Sequence, residues 1–437
     1  MVFINSYFKC TYIVRVKEGV SGFRAREEIR KSASSLKKLI RSNNHEELVI
    51  TSEDTYREAV ADFTEGLVLS IYSFRKYKTR TEDEESGKNY PGRLLLADHI
   101  SESALKWLDD LTDAVYLARN LINEPVNRLN SAGLASEISR TGEKAGFSVE
   151  VFNKGKIESL KMGGLLSVNR GSTDPPAFCI LEWKPENPVN SKPMLLVGKG
   201  VVYDTGGLNI KTGDYMSQMK ADMAGAAAVT GVFYTIARNN IPLHLTGLIP
   251  VTDNRPGGNA YAPGDIITMY NKMTVEIGNT DAEGRLILAD AISYASKYKP
   301  ELIIDIATLT GSAAVTFGNR AMAMMTNADR KYGDLLVECG NEVYERVAGL
   351  PFYDEYNESI RSAVADVRNI GGREAGAITA GKFLERFAEF PIIHLDIAGT
   401  GILKKDDYYR IKDGPGSGVR LLSVFLKRLS ETYNKIN

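Results

Sequence analysis

Sulfur is scarce. Among 437 residues there are three cysteines, and Cys10, Cys179 and Cys339 are odd in number and far apart. Such a set makes neither a disulfide framework nor a thiolate metal site, which points to a reducing, cytoplasmic compartment. A surplus of one charge is also lacking: 54 Lys and Arg stand against 55 Asp and Glu, for a formal net charge of −1. Strong binding to nucleic acid, which needs a clustered basic face, is therefore not expected. Long apolar runs are missing too. In the opening MVFINSYFKCTYIVRV, Lys9 and Arg15 interrupt the apolar residues before a signal-peptide core forms, and no later run is long enough to span a bilayer. The four histidines, His45, His99, His244 and His394, are scattered and form no HExxH pair. This excludes a thermolysin-like zinc site and leaves them structural roles.

What remains has the balance of a soluble globular enzyme, 43% hydrophobic and 25% charged. The length exceeds what one hydrophobic core usually serves, so two unequal domains are expected. In residues 1–100 the runs TYIVRV (11–16), ELVIT (47–51) and GLVLSIYSF (66–74) read as strands, separated by a charged amphipathic stretch from Phe23 to Ile40. They predict a small α/β domain. The charged RKYKTRTEDEESGK from Arg75 lacks apolar periodicity and reads as a solvated loop. A helix is predicted from Ser101, its N-cap, until Pro125 breaks it, and residues 101–124 serve as the connection. From 125 to 437 the apolar runs FCILEW, PMLLVGK, LHLTGLIPV, LIIDIATLTG and PIIHLDIAG alternate with helical stretches. That alternation predicts a larger α/β domain, its central sheet mainly parallel and covered by helices. In open sheets of this kind, sites gather beyond the carboxyl ends of the strands.

The unusual residues fall there. The stretch VGKGVVYDTGGLNIK carries Lys199, Asp204, Gly206-Gly207 and Lys211, and Asp222 follows; NTDAEGRL carries Asp281, Glu283 and Arg285 at alternating positions ahead of an apolar helix. Extended backbone over those last three points them the same way. Taken singly, each has an ordinary explanation. Asp222 fits a helix N-cap, Asn279 to Asp281 fit turn and cap residues, and Lys199 fits a surface lysine at a strand end. Together they demand more, because carboxylates gathered in one cleft repel by about 4 kcal/mol per close pair at an effective dielectric near 20. Four carboxylates, Asp204, Asp222, Asp281 and Glu283, balance two divalent cations, and an oxygen-rich set suits Mn, Mg or Zn. Lys199 then has to ligate as a neutral amine, which burial beside cations permits. Lys211 and Arg285 are left to face the reacting groups.

At these residues the sequence resembles the leucyl aminopeptidase family, the M17 metallopeptidases, whose NTDAEGRL stands complete at Asn279–Leu286. VGKGVVYDTGGLNIK matches the family's other block. NEPVNRL from Asn123, GGLLSVNRGSTDPP from Gly163, ATLTG from Ala307, HLDIAGTG and GSGVRLL extend the resemblance from Leu121 to the end. It implies that Lys199, Asp204, Asp222, Asp281 and Glu283 are the metal ligands, that Lys211 is catalytic, and that Arg285 holds a bicarbonate ion serving as general base. It places Met219 and Thr308 in the pocket for the first side chain and Leu309 and Gly311 near the bound peptide. Two departures, Thr205 for the family's frequent serine and Lys220 for a common arginine, remove no ligand. The N-terminal region is shorter than the family's macro-like domain and carries no motif match.

The resemblance thus implies a metal-dependent aminopeptidase of intracellular peptide turnover, releasing leucine and other apolar N-terminal residues by attack of a hydroxide bridging two metals. Zn or Mn are the expected ions, with Mg as a third choice, and a homohexamer is the expected assembly. Two other readings compete: a dipeptidase for cysteinylglycine-type substrates, and a DNA-binding role in which the short first domain makes the contacts.

Overall fold

Four stretches, MLLVG, LTGLIPVTDN, LIIDIA and IIHLD, are buried at every residue. Strands covered on both faces read as continuous apolar runs, and these four lie side by side at the centre of one sheet. The chain is seen in a computed structural model that describes residues 2–6, 9–15, 20–52, 58–79, 90–97 and 100–436. Its contacts divide it into two compact units: Met1–Thr112 with Glu342–Tyr344 and Lys405–Lys412, and Asp113–Asn341 with Glu345–Lys404 and Asp413–Asn437.

In the first unit β1 (Val2–Ser6) and β2 (Lys9–Ile13) form an antiparallel hairpin. Helix α1 (Gly22–Ser42), β3 (Glu47–Ile50), helix α2 (Ala59–Ile71) and β4 (Arg93–Leu96) follow, with β3 and β4 parallel. The amphipathic stretch from Phe23 to Ile40 is helical as its periodicity predicts, burying Ala33, Leu36 and Ile40 against Leu67. The GLVLSIYSF run, expected as a strand, is instead mostly the second half of α2. A short apolar run does not reveal its own period; the deciding residues lie upstream. Asp62, Glu65 and Gly66 share one helical face, where Arg30 of α1 meets Asp62 Oδ1 at 2.5 Å and Glu65 Oε2 at 2.6 Å. His45 accepts or donates at Tyr12 Oη, 2.6 Å away, while His99 and residues 80–89 of the charged loop lie outside the described residues.

Helix α3 (Glu102–Asn123) starts as read, with Ser101 Oγ accepting the Ala104 N–H at 3.2 Å, and the division between units falls within it. The second unit adds α4 (Ser131–Ala145), β5 (Ser148–Phe152), α5 (Gly163–Asn169), β6 (Ala177–Trp183), β7 (Met194–Gly198), β8 (Gly200–Asp204), α6 (Ala224–Arg238) and β9 (Leu245–Asn254). Beyond them come β10 (Ile266–Thr268), β11 (Thr274–Glu276), α7 (Glu283–Ala295), β12 (Leu302–Ala307), α8 (Gly311–Phe317), β13 (Met322–Thr326), β14 (Val347–Gly349), β15 (Val367–Arg368), α9 (Gly376–Glu385), β16 (Ile392–Asp396) and α10 (Val419–Ile436). The large sheet has the order β14-β13-β16-β12-β7-β9-β6-β5, with β8 also on β9, and β10-β11-β15 make a small one. The pairs from β16 through β12 and β7 to β9 are parallel; antiparallel pairs occur at β13–β16, β6–β9 and β5–β6. The architecture is therefore the mainly parallel, helix-covered α/β sheet expected. Leu195, Val197, Leu248 and Ile303 of the sheet pack with Leu286, Ile287, Leu288 and Ile292 of α7 in one core.

The two remaining described histidines are structural partners. His244 lies 3.0 Å from Glu182, and His394 on β16 lies 2.5 Å from Asp305 on the neighbouring β12. All three cysteines are free thiols.

Candidate metal centre

Parallel strands deliver their last residues to one rim, and here Lys199 follows β7, Asp204 ends β8, Asn254 ends β9, Thr308 follows β12 and Asp396 ends β16. After Asp204 the chain turns through Gly206, whose φ of 86° belongs to the left-handed region and favours glycine. A turn so closed brings the Lys211 N–H onto the Thr205 carbonyl at 2.8 Å. It also carries the Lys211 ammonium to 2.7 Å from Asp204 Oδ2 and 2.5 Å from Asp281 Oδ1. The Lys199 ammonium donates to Asp222 Oδ1 at 2.9 Å and to the Thr308 carbonyl at 3.0 Å, and stands 2.9 Å from Glu283 Oε1. Thr308 Oγ1 donates to the same Asp222 Oδ1 at 2.8 Å. One cluster thus holds all four carboxylates and both lysines.

Two local readings need correction. Residues 281–285 are not extended: Asp281 sits in a turn and Glu283 opens α7. Asp281 and Glu283 reach the cluster because the turn and the first helical residue converge on it, whereas the Arg285 guanidinium donates from Nη1 to the Asn369 carbonyl at 2.7 Å. Asp222 is not a helix N-cap either, since α6 begins after Met223 with no side-chain cap. The ordinary reading of Asn279 does hold, its Oδ1 accepting the Asp281 N–H at 2.7 Å.

Acid outweighs base in this site. Burial and then Glu283 push Asp204 above the usual carboxylate range, against the pull of Lys211 and Lys199. Burial, Glu283 and Asp204 push Asp281 up to about 7, and burial pushes Asp222 well above its ordinary range. Glu283 is the exception, burial raising it but Lys199 and Lys211 drawing it below its ordinary value. Both lysines are pulled down by burial and held above their usual range by the carboxylates, Asp222 first for Lys199 and Asp204 first for Lys211. The carboxylates alone therefore keep Lys199 protonated. The neutral amine expected of a ligand would require a cation to take over their charge.

The donor set fits divalent cations. Oxygens of Asp204, Asp281 and Glu283 lie within 4.8 Å of one another. Glu283 Oε2 is buried without a hydrogen-bond donor among the described residues, and Asp222 Oδ2, though 2.7 Å from the Lys199 ammonium, lies off the direction a hydrogen bond needs. Glu283 Oε2, a buried carboxylate oxygen left bare, is costly unless something positive meets it. Gly284 leaves the room: a Cβ there would stand 2.4 Å from Lys199 Cε.

Of the other residues singled out, Leu309 packs beside Gly284 and its N–H donates to Asp396 Oδ1 at 3.1 Å. Met219 joins through its backbone carbonyl, which accepts the Asp222 N–H at 3.3 Å, and Gly311 is exposed at the start of α8. Lys220 Nζ donates to the Asn123 carbonyl, away from the carboxylates. Sequence reading missed the polar residues behind the clustered carboxylates. Asn254 Nδ2 donates to Asp204 Oδ1 at 2.9 Å and to the Thr280 carbonyl at 3.0 Å. Asn369 accepts the Gly278 N–H at 2.7 Å and donates to the Asn279 carbonyl at 2.7 Å. For Asn254 a signal existed, since an apolar, wholly buried strand ends in Thr252, Asp253 and Asn254.

Comparison with known proteins gives the family and the fold. Residues 116–423 match the family model described as cytosol aminopeptidase family, catalytic domain. A probable cytosol aminopeptidase of Chlorobium limicola is 43% identical over 382 residues, 84% of this chain and 75% of that one. Another, of Chlorobium phaeobacteroides, is 40% identical over 423 residues, 92% and 84% of the two chains. Among solved structures, the bottromycin maturation enzyme BotP in complex with Mn superposes with a TM-score of 0.86 at 30% identity, covering 95% of this chain and 90% of that one. These alignments reach upstream of Leu121, where the motif matches begin.

Proposed function

The chain belongs to the cytosol aminopeptidase family, hence to the metal-dependent aminopeptidases, and from that premise we propose that it releases leucine and other apolar residues from the N-termini of peptides. The observation that carries this reading is the cluster, buried except at Asp281 and Lys211, in which four carboxylates outnumber two lysines. Lys199, Asp204, Asp222, Asp281 and Glu283 are the residues that would hold two divalent ions, Zn or Mn with Mg as a third choice, and the Mn carried by BotP supports a divalent metal. When bound, such ions polarise a carbonyl and make water acidic enough to supply a nucleophile near neutral pH.

The chain's own residues do the rest. Lys211, kept charged by Asp204 and Asp281, donates to the scissile carbonyl oxygen as negative charge gathers on it; one donor so placed contributes about 10²–10³ in rate. Arg285 is buried, which brings its guanidinium down to about 10 against the pull of Glu283 and Asp396. Its Nη1 is committed to Asn369, and its Nε is buried without a partner among the described residues. That nitrogen is suited to an anion such as the bicarbonate that would take the proton from water. Thr308, tied to Asp222, borders the first side chain with Met219, while Leu309, beside Gly284, and Gly311 lie near the bound peptide. A requirement for the free α-amine makes the action exopeptidic. The same reading includes peptide turnover in the cytoplasm, a homohexamer and residues 125–437 as the catalytic domain behind a linking helix and a small first domain.

The test is hydrolysis of leucine, alanine and cysteinylglycine substrates by chelated protein before and after Mn or Zn is restored. Activity that returns with metal, and only on unblocked amines, supports the proposal and ranks the substrates. Full activity after chelation, or equal cleavage of N-acetylated peptides, overturns it.

A further inference from the structure

Every polar atom of Thr280 is engaged, although the residue is neither a carboxylate nor a lysine and is fully buried. Its hydroxyl donates to the Gly206 carbonyl at 2.6 Å and accepts the Asn209 N–H at 2.8 Å. Its own N–H donates to Asn209 Oδ1 at 2.8 Å. Its carbonyl accepts from Asn254 Nδ2 at 3.0 Å and from Tyr261 Oη at 2.6 Å. A turn residue that merely shaped its own turn would bond locally. Thr280 bonds instead across to residues 206–209, between Asp204 and Lys211, and to Asn254, which itself holds Asp204 Oδ1.

The approach is close enough to constrain the opposite loop. A Cβ on Gly207 would meet Asn254 Oδ1 at 2.8 Å and Thr280 Oγ1 at 3.1 Å, and the φ of 63° there is left-handed. One face of this contact carries Asp204 and Lys211; the other carries Asp281 and Glu283. Lys211 reaches Asp204 and Asp281 together only if the two loops keep their register. We propose that Thr280 is the positioning residue that locks the Asp204–Lys211 loop to the Asp281–Glu283 turn, so that ligands contributed by separate loops form one preorganised site. The proposal rests on the metal-dependent aminopeptidase reading for its functional consequence, and on the bonds above for its geometry. Thr280→Val keeps the shape and removes the hydroxyl, leaving the Gly206 carbonyl and the Asn209 N–H without it; Thr280→Ser restores it. Asn209→Ala, at an exposed position, removes the acceptor of the Thr280 N–H with little risk to folding.

The experiment compares wild type and these three full-length variants in Mn2+ binding by calorimetry after chelation, in kcat and KM on a leucyl amide, and in amide hydrogen exchange of metal-free protein. Circular dichroism checks the fold. In Thr280→Val, Mn2+ binding weakens about 10–100-fold, as for outer partners of metal ligands, kcat falls more than KM rises, and the Asn209 amide exchanges faster. Thr280→Ser stays near wild type, and Asn209→Ala moves the same way as valine by less. A folded valine variant with wild-type Mn2+ affinity and exchange overturns the proposal, as does a serine variant as impaired as valine. Should valine not fold, wild-type behaviour of Asn209→Ala overturns it. If wild type itself neither binds Mn2+ nor cleaves the amide, the functional reading fails, and exchange at Asn209 still decides whether Thr280 locks the loops.

Discussion

Gly284→Ala places a methyl group where the Lys199 side chain runs. The added carbon would lie 2.4 Å from Cε and 2.7 Å from Nζ, whereas carbon contacts settle at about 3.5–4.0 Å. Because the obstructed atoms are the end of a flexible side chain, the lysine retreats by roughly 1 Å and the helix stays. Its Nζ is thereby carried away from Asp222 Oδ1 and the Thr308 carbonyl, now 2.9 Å and 3.0 Å off, and out of the position from which it would ligate an ion held with Asp222 and Glu283. A displacement of that size in a catalytic constellation costs about 10²-fold in rate. Alanine is the better helix former by about 1 kcal/mol, so the fold itself gains or holds. The expected result is therefore a protein with an undiminished thermal midpoint and kcat/KM about 10²-fold lower at saturating Mn2+. Steady-state kinetics on a leucyl amide, run beside a melting curve, separate the two effects. Wild-type kcat/KM in a folded Gly284→Ala protein would mean that Lys199 does not sit against α7 in the working enzyme.

Removing Lys211 tests the donor instead of the ligands: Lys211→Ala lowers kcat by about 10²–10³ and changes KM little, and a variant keeping most of its kcat would remove the lysine from the reaction. Asp290 gives a pH effect separate from chemistry. It accepts the Leu165 and Tyr270 N–H groups at 2.9 Å each, and burial, outweighing them, raises it from 3.8 to about 7. The folded state then binds its proton more tightly than the unfolded chain, so this group's contribution to stability grows as pH falls from 7 toward 3.8 and is lost as pH rises through 7. Between pH 7.5 and 6, metal-free wild type gains about 1 kcal/mol that Asp290→Asn does not; superimposable denaturant-stability profiles would contradict the shift.

The sequence was most legible where one physical cause acts alone. The parallel core strands announced themselves because burial on both faces leaves no polar position, and Ser101 and Pro125 bounded α3 because capping and a missing N–H act locally. Identity also spoke plainly at the clustered carboxylates and lysines, residue types that are rare in apolar surroundings. Legibility failed where the deciding partner lay far along the chain. GLVLSIYSF looked like a strand because its helical face is completed upstream by Asp62 and Glu65, which answer Arg30. The alternation of Asp281, Glu283 and Arg285 suggested one shared direction, but α7 starts at Glu283 and turns Arg285 toward Asn369. Thr280, Asn254 and Asn369 stayed hidden because an uncharged polar residue shows its importance only through partners that spacing cannot reveal.

The order of the large sheet bears on how the protein comes into being. Its central pairings join Leu302 to Met194 and Ile303 to Ile392, strands made far apart in synthesis, and pairings of that kind form slowly because the intervening chain must first be closed into a loop. Local helices can arise early, but the rim that gathers Lys199, Asp204 and Thr308 exists only after β12 has settled between β7 and β16. The gathered cluster is thus absent from partly folded chains and arrives only with these long-range pairings, so that a member of an aminopeptidase family acquires its site after strands made far apart have met.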